Sequence, residues 1–187
     1  MFEPRKIIKE GNKLLRETSV DVKFPLSEED EKTIQYLSEY LTVTSDEEYC
    51  KIHGFRPGVG LAAPQIGINK NMVAIRIEFP GPKDSTILKE YAFINPKIIS
   101  HSTTLSCLRG GEGCLSVDND REGYVYRYSF VTVKAYDYLQ KKDVTIKFRG
   151  YEAIVVQHEL DHLKGVLYFD HIDKKEPFKV IPGATII

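Results

Sequence analysis

The segment His158-Glu159-Leu160-Asp161-His162 constrains this chain more than any other. Four residues along an α-helix advance the direction by roughly 400°, so the two imidazoles leave one side about 40° apart. Glu159 points roughly 100° from His158 and about 60° from His162. Two metal-binding rings and a carboxylate therefore share one helical face. That is the arrangement of a hydrolytic metal site, with neutral imidazoles to hold a divalent cation and a base to take a proton from water. The preceding run, Glu152-Ala153-Ile154-Val155-Val156-Gln157, is mostly apolar, and Leu160 and Leu163 prolong the stripe. Such a helix is expected to be buried, where charge is costly unless paired or bound to metal. An exposed polar turn is the plain alternative, and the apolar run argues against it. Gly150 and Gly165 punctuate the two ends, the latter as a C-terminal cap.

The chain has 187 residues, a length that suits one well-packed domain, so a single catalytic domain over 1–187 is expected. The net charge is −1, which provides no basic field for nucleic acid and no polybasic tract for anionic lipid. No apolar run approaches a membrane span. The opening Met1-Phe2-Glu3-Pro4-Arg5-Lys6 is not followed by the apolar core of a signal peptide, so a cytoplasmic location is expected. Cys50, Cys107 and Cys114 are an odd and sparse set that argues against a disulfide framework and leaves at least one thiol free.

Along the chain, Ile7 to Arg16 is ambiguous. Val20 to Phe24 alternates like a strand or an extended lead-in that Pro25 stops. Ser27 caps an acidic helix start, and Ile34, Leu37 and Leu41 follow at helical spacing. Glu47 to Pro57 reads as loop. Met72–Ile77 and Tyr91–Ile94 read as strands on either side of a turn-rich Pro80-Gly81-Pro82-Lys83-Asp84 excursion. Phe130–Tyr136 and Val144–Phe148 alternate as a hairpin around Gln140-Lys141-Lys142. Pro177 and Pro182-Gly183 disfavour a long terminal helix. Strands in runs with one early and one late helix indicate an α+β fold.

Two histidines leave a catalytic site one protein ligand short. The long metzincin pattern places its third histidine where this chain has Tyr168, and that reading fails there. His171 stands three positions late, and Glu176 is poorly placed beside Pro177. Cys114, in Glu112-Gly113-Cys114-Leu115-Ser116 after Gly110 and Gly111, has a chain suited to close approach and is the preferred candidate. A buried structural cysteine is its alternative, and it is the expected state of Cys50 and Cys107.

Three segments stand in order: Gly58-Val59-Gly60-Leu61-Ala62-Ala63-Pro64-Gln65, Glu112-Gly113-Cys114-Leu115-Ser116, and Gln157-His158-Glu159-Leu160-Asp161-His162-Leu163. Together they resemble the three signature motifs of peptide deformylase, and the length and tail resemble the type 2 enzymes of Gram-positive bacteria. The resemblance implies an α+β fold with antiparallel sheets around a central metal-binding helix. The implied activity is hydrolytic removal of the formyl group from N-formyl-methionyl nascent peptides. Cys114, His158 and His162 are the implied ligands of one divalent ion, Fe²⁺ natively, with Zn²⁺, Ni²⁺ or Co²⁺ able to replace it. Glu159 is the implied general base and acid, while Gln65 and the Leu115 N–H are the implied receivers of the formyl oxygen. Gly58, Val59 and Gly60 are expected to expose backbone to an extended peptide. Ile154 and Val155 are expected walls for the methionine side chain, with ordinary core as the alternative. Asp161 and Gln157 are read as partners that orient ligands or as polar caps on the site, and Glu112 as an electrostatic brace. His53, His101 and His171 are expected to take no catalytic part. A monomer is expected, and the ribosome is a candidate partner.

Overall fold

The computed structural model describes residues 5–187. Met1–Pro4, part of the opening that lacks a signal-like core, lies outside the described residues. Helix α1, Glu28–Thr44, starts where expected: Ser27 Oγ accepts from Asp30 N–H, with four acidic residues in the first turn. It buries Ile34, Leu37, Tyr40 and Leu41.

The expected loop after α1 is instead a second short helix, α2, Glu47–His53. Asp46 caps it by accepting from Glu48 and Tyr49 N–H, and Gly54 ends it in the left-handed region at φ +70°. Cys50 is its only buried residue, so no apolar period marks α2 in sequence.

Strands β1 (Gly60–Ala62), β2 (Met72–Pro80), β3 (Thr86–His101), β4 (Leu105–Cys107), β5 (Arg127–Tyr128), β6 (Phe130–Asp137), β7 (Lys142–Arg149) and β8 (Thr185–Ile186) form two sheets. The larger runs β1-β2-β3-β6-β7, antiparallel throughout, and the smaller runs β5-β4-β8 with a parallel β4–β8 pair. The Pro80–Asp84 excursion is the tip of a long hairpin in which β2 and β3 pair from Met72–Ile94 out to Pro80–Thr86. The second expected hairpin pairs β6 with β7 from Phe130–Arg149 to Asp137–Lys142. In the lead-in, only Val20 makes a bridge, to Lys70. The tail is non-helical and contributes β8.

Alternation along β2 sends its side chains to opposite faces. Met72 and Ala74 join α1 in one apolar cluster, while Val73, Ile75 and Ile77 join the other. The second cluster receives helix α3, Gly150–His162, through Ala153, Val155, Val156 and Leu160. Each large side chain buried there contributes roughly 1.5–3 kcal/mol. On its other side α3 meets β5, where Gln157 accepts from Tyr128 N–H and donates to the Tyr128 carbonyl at 3.0 and 2.9 Å. Thus α3 runs between the two sheets. At its end Val166 N–H bonds the Asp161 carbonyl and Gly165 N–H the His162 carbonyl, with Gly165 at φ +71°. A Cβ on Gly165 would lie 2.5 Å from the Arg16 backbone, so both space and φ require glycine.

Candidate active site

Helix α3 presents His158 and His162, and the loop between β4 and β5 brings Cys114 to them. One donor atom from each lies within 4.8 Å of the others, with Cys114 Sγ 3.3 Å from His162 Nε2. Ligand bonds of about 2.0–2.3 Å in a tetrahedron require donor separations of roughly 3.3–3.6 Å, a spacing that the set has at its Cys114–His162 pair, with His158 beside it. Its electrostatics agree. Burial, reinforced by the nearby His158, holds His162 well below its ordinary value, in the neutral form that ligates. Burial also works against charge on His158, but Cys114 and Glu112 outweigh it and carry this ring up to about 10. The site thus favours positive charge at a point where a divalent cation can take the proton's place. Tyr168 is buried, accepts from Arg121 N–H at 2.6 Å, and stacks on His158 with ring centroids 6.1 Å apart. Glu176 lies in a turn of the tail, its N–H bonded to Asp173. Neither belongs to the donor cluster.

Behind the histidines lies a buried ion network. Glu112 Oε2 bonds His158 Nδ1 at 2.8 Å. Arg127, from β5, donates to both Glu112 oxygens at 2.6 and 2.9 Å and to Asp161 Oδ2 at 2.8 Å. Asp161 also meets His171 Nε2 at 2.7 Å. Burial opposes ionisation of Glu112, yet His158 and Arg127 hold its carboxyl below the ordinary value. Carboxylates beyond a ligand fix ring orientation and tautomer. Glu112 is therefore the brace that its sequence position indicated, and Asp161 acts through Arg127. Gln157 serves β5 rather than a ligand. Arg127 was not foreseen from sequence, because its partners lie 15 and 34 positions away and no local pattern connects them. His101 stacks on Tyr128, and His53 packs with Tyr49 and Phe55, both outside the donor cluster.

A cleft of about 510 Å³ opens onto the histidine face. Gly58, Val59, Gly60, Gln65, Cys114, Leu115, Ile154, Val155, His158 and Glu159 all line it, so the structure gathers the sequence candidates in one place. His162 lies behind the lining, 1% exposed. Arg56, Pro57, Leu108, Tyr151 and the Gly111–Gly113 segment complete the walls. Tyr151 stands seven positions before His158, nearly the same helical direction, a spacing that was available to read. Ile154 and Val155 are both buried and cleft-lining, and Val155 also packs in the core cluster.

Glu159 is 4% exposed, and its Oε2 is buried with no hydrogen-bond partner among the described residues. Burial pushes its carboxyl up to about 7, with the like charges of Glu112 and Asp161 adding to that and His158 and Arg127 opposing it. A base with a value near neutrality and an unused oxygen is suited to moving protons. Gly60 makes room for it, since a Cβ there would lie 2.2 Å from Glu159 Oε1 and 2.5 Å from its Cδ. Gly60→Ala is expected to displace the carboxylate and lower kcat by about 10²-fold or more. Metal content and kcat measured on the same sample check this, and near-normal kcat would show that the carboxylate has freedom to move.

Gln65 is 1% exposed, and its Oε1 accepts Ala62 N–H at 2.8 Å. That bond fixes the amide so that Nε2 faces Ser116 Oγ at 3.2 Å and Cys114 Sγ at 3.6 Å. The loop bond thus leaves Nε2 directed at the Cys114–Ser116 segment, beside the cleft that Gln65 lines. The Leu115 N–H has no acceptor among the described residues. The Val59 carbonyl is engaged by Arg76 N–H, while its side chain is 39% exposed at the cleft. Because β1 is the outermost strand of its sheet, it has an edge open to pairing.

Comparison with known proteins decides the family. Over residues 4–178 the sequence matches the family described as polypeptide deformylase. The chain belongs to the polypeptide deformylase family. It is 45% identical over 178 residues to peptide deformylase 2 of Bacillus cereus, covering 95% of this chain and 94% of that one. It is 44% identical over 187 residues to peptide deformylase 2 of Geobacillus stearothermophilus, covering 100% and 99%. Those similarities agree with the type 2 resemblance of the sequence. Among solved structures, the class I type b peptide deformylase of Acinetobacter baumannii, bound to Met-Ala-Ser, superposes with a TM-score of 0.70. That pair is 29% identical and covers 92% of this chain and 100% of the other. This deformylase has the expected α+β architecture, and no helix among its described residues is long and apolar enough to cross a membrane.

Proposed function

We propose that Cys114, His158 and His162 hold one divalent cation, Fe²⁺ natively, and that the cleft hydrolyses the formamide of N-formyl-methionyl nascent peptides. The observation that carries this is the convergence of three clustered donors, Cys114, His158 and His162, with an unpartnered buried carboxylate and the Gln65 and Leu115 segments at one cleft. A thiolate with two imidazoles also suits Zn²⁺, Ni²⁺ or Co²⁺, since affinity order alone does not select the metal. When bound, the cation supplies Lewis-acid activation of water and of the formyl carbonyl. Glu159 takes a proton from the attacking water as the new C–O bond forms. Gln65 Nε2 and the Leu115 N–H receive the negative charge growing on the formyl oxygen, where one such donor is typically worth roughly 10²–10³ in rate. The C–N bond then breaks, Glu159 returns its proton to the amine, and formate and a free methionine N-terminus leave.

The outermost strand β1, with the Gly58–Val59 segment that leads into it along the cleft, supports binding of an extended peptide by strand addition. Ile154 and Val155 wall the place of the methionine side chain. The enzyme acts as a cytoplasmic monomer of one catalytic domain on chains emerging from the ribosome. Protein purified without oxygen and analysed for metal is expected to release one formate per formyl-Met peptide consumed, with one metal per chain. No formate from the fully loaded protein would overturn the reading.

A further inference from the structure

Residues 8–10 make three hydrogen bonds that all end on the two segments carrying the oxyanion donors. Ile8 N–H donates to the Gln65 carbonyl at 2.9 Å and Glu10 N–H to the Ser116 carbonyl at 2.8 Å. Between them, the Lys9 ammonium donates to the Leu115 carbonyl at 2.9 Å. Gln65 and Ser116 are already joined through their side chains at 3.2 Å, so the extra bonds tie the same two segments a second time, through their backbone carbonyls. The Leu115 carbonyl and the Ser116 N–H belong to one peptide group, and that N–H donates to Cys114 Sγ at 3.4 Å. A continuous chain therefore runs from the Lys9 ammonium through the peptide group to the sulfur, and hydrogen bonds in series polarise one another.

Resting on the deformylase reading above, we propose that Ile8–Glu10 is a strap that sets the spacing of the Gln65 and Leu115 donors, with Lys9 a positioning residue for the hydrolytic step. Lys9 lines no part of the cleft and acts only through the peptide group that it holds. Its second partner, Asp118 at 2.6 Å, is 64% exposed, and exposed pairs of this kind contribute little. The bond to the Leu115 carbonyl is the one with a consequence. It fixes the plane of residues 115–116, next to the peptide group whose N–H faces the oxyanion. Donors to an oxyanion act through placement, and a shift of about 1 Å can cost on the order of 10²-fold in rate. Loosening one tie of three is expected to cost about tenfold, in the transition state alone.

The test compares wild type, Lys9→Met, Lys9→Arg and Asp118→Asn, loaded with the same metal, on a formyl-Met peptide. Lys9→Met is expected to lose about tenfold in kcat with KM unchanged, the pattern of an interaction made only in the transition state. Lys9→Arg, which keeps a cationic donor, should recover most of the loss, and Asp118→Asn should stay within twofold of wild type. Amide hydrogen exchange at residues 114–116 should quicken in Lys9→Met and not in Asp118→Asn. The strap is overturned by a Lys9→Met kcat within twofold of wild type, by a loss carried in KM, by no recovery in Lys9→Arg, by an equal loss in Asp118→Asn, or by unchanged exchange. Absence of formate release from metal-loaded wild type overturns the deformylase reading instead, and exchange still reports on the strap.

Discussion

Glu159→Gln is expected to lower kcat by roughly 10²–10⁴-fold, the range for loss of a general acid–base group, while one metal per chain is retained. Glutamine keeps the volume that Gly60 leaves open but cannot take up the water proton, so the change isolates proton transfer from packing. Single-turnover formate release with metal analysis on the same sample measures both. Activity within tenfold of wild type would remove Glu159 from its role, and loss of metal along with activity would make it a structural support instead. The metal-free protein provides a second arm. Burial raises Glu159 to about 7 in the folded state, well above its ordinary value of 4.5. Between those values the unfolded chain has released this proton and the folded chain has not. Stability therefore falls as pH rises through that window, by about 3 kcal/mol. Glu159→Gln abolishes the term, so the metal-free variant should unfold at higher urea than metal-free wild type at pH 8 and lose that advantage near pH 4.

Much of this site was legible because its chemistry sits in short segments with local geometry. His158, Glu159 and His162 are related by helical spacing alone, and the apolar residues around them announce burial. Cys114 required a further step, since Tyr168 had first to fail as a ligand. The β6–β7 hairpin was legible from alternation, because one face of each strand meets the second cluster, whereas β2 and β3 read as short apolar runs because both of their faces are buried. Three features were not. Helix α2 buries only Cys50, so it has caps without a period. The strap at Ile8–Glu10 acts mainly through backbone N–H groups, which every residue but proline carries. Arg127 is joined to Glu112 and Asp161 only by the fold, which brings β5, the Cys114 loop and α3 together.

That last contact carries the largest expected effect on stability. Arg127→Met should destabilise the protein by about 3–5 kcal/mol, because it leaves a buried carboxylate without its cation. The arginine side chain is 3% exposed and Glu112 4%, so water cannot replace the lost bonds. Asp161, at 18%, retains His171 and loses less. The pH dependence distinguishes this from lost packing. Glu112 and Asp161 are both held below their ordinary values in the folded state against the cost of burial, Glu112 by His158 and Arg127, Asp161 by His171 and Arg127. A depressed carboxyl contributes stability that is complete above its unfolded value and is lost as pH falls through the folded one. The difference in unfolding free energy between wild type and Arg127→Met should thus be widest near pH 7 and shrink in the acid range as these groups protonate. Urea titrations at several pH values give it directly, and a difference independent of pH would assign the effect to packing. Metal affinity should fall as well, since Glu112 would lose its fixed position against His158 Nδ1, and outer partners of a ligand are typically worth about 10–100-fold in metal binding. Competition with a chelator measures that loss separately from turnover, so the stability of this network and the function of the metal centre can be traced to the same guanidinium.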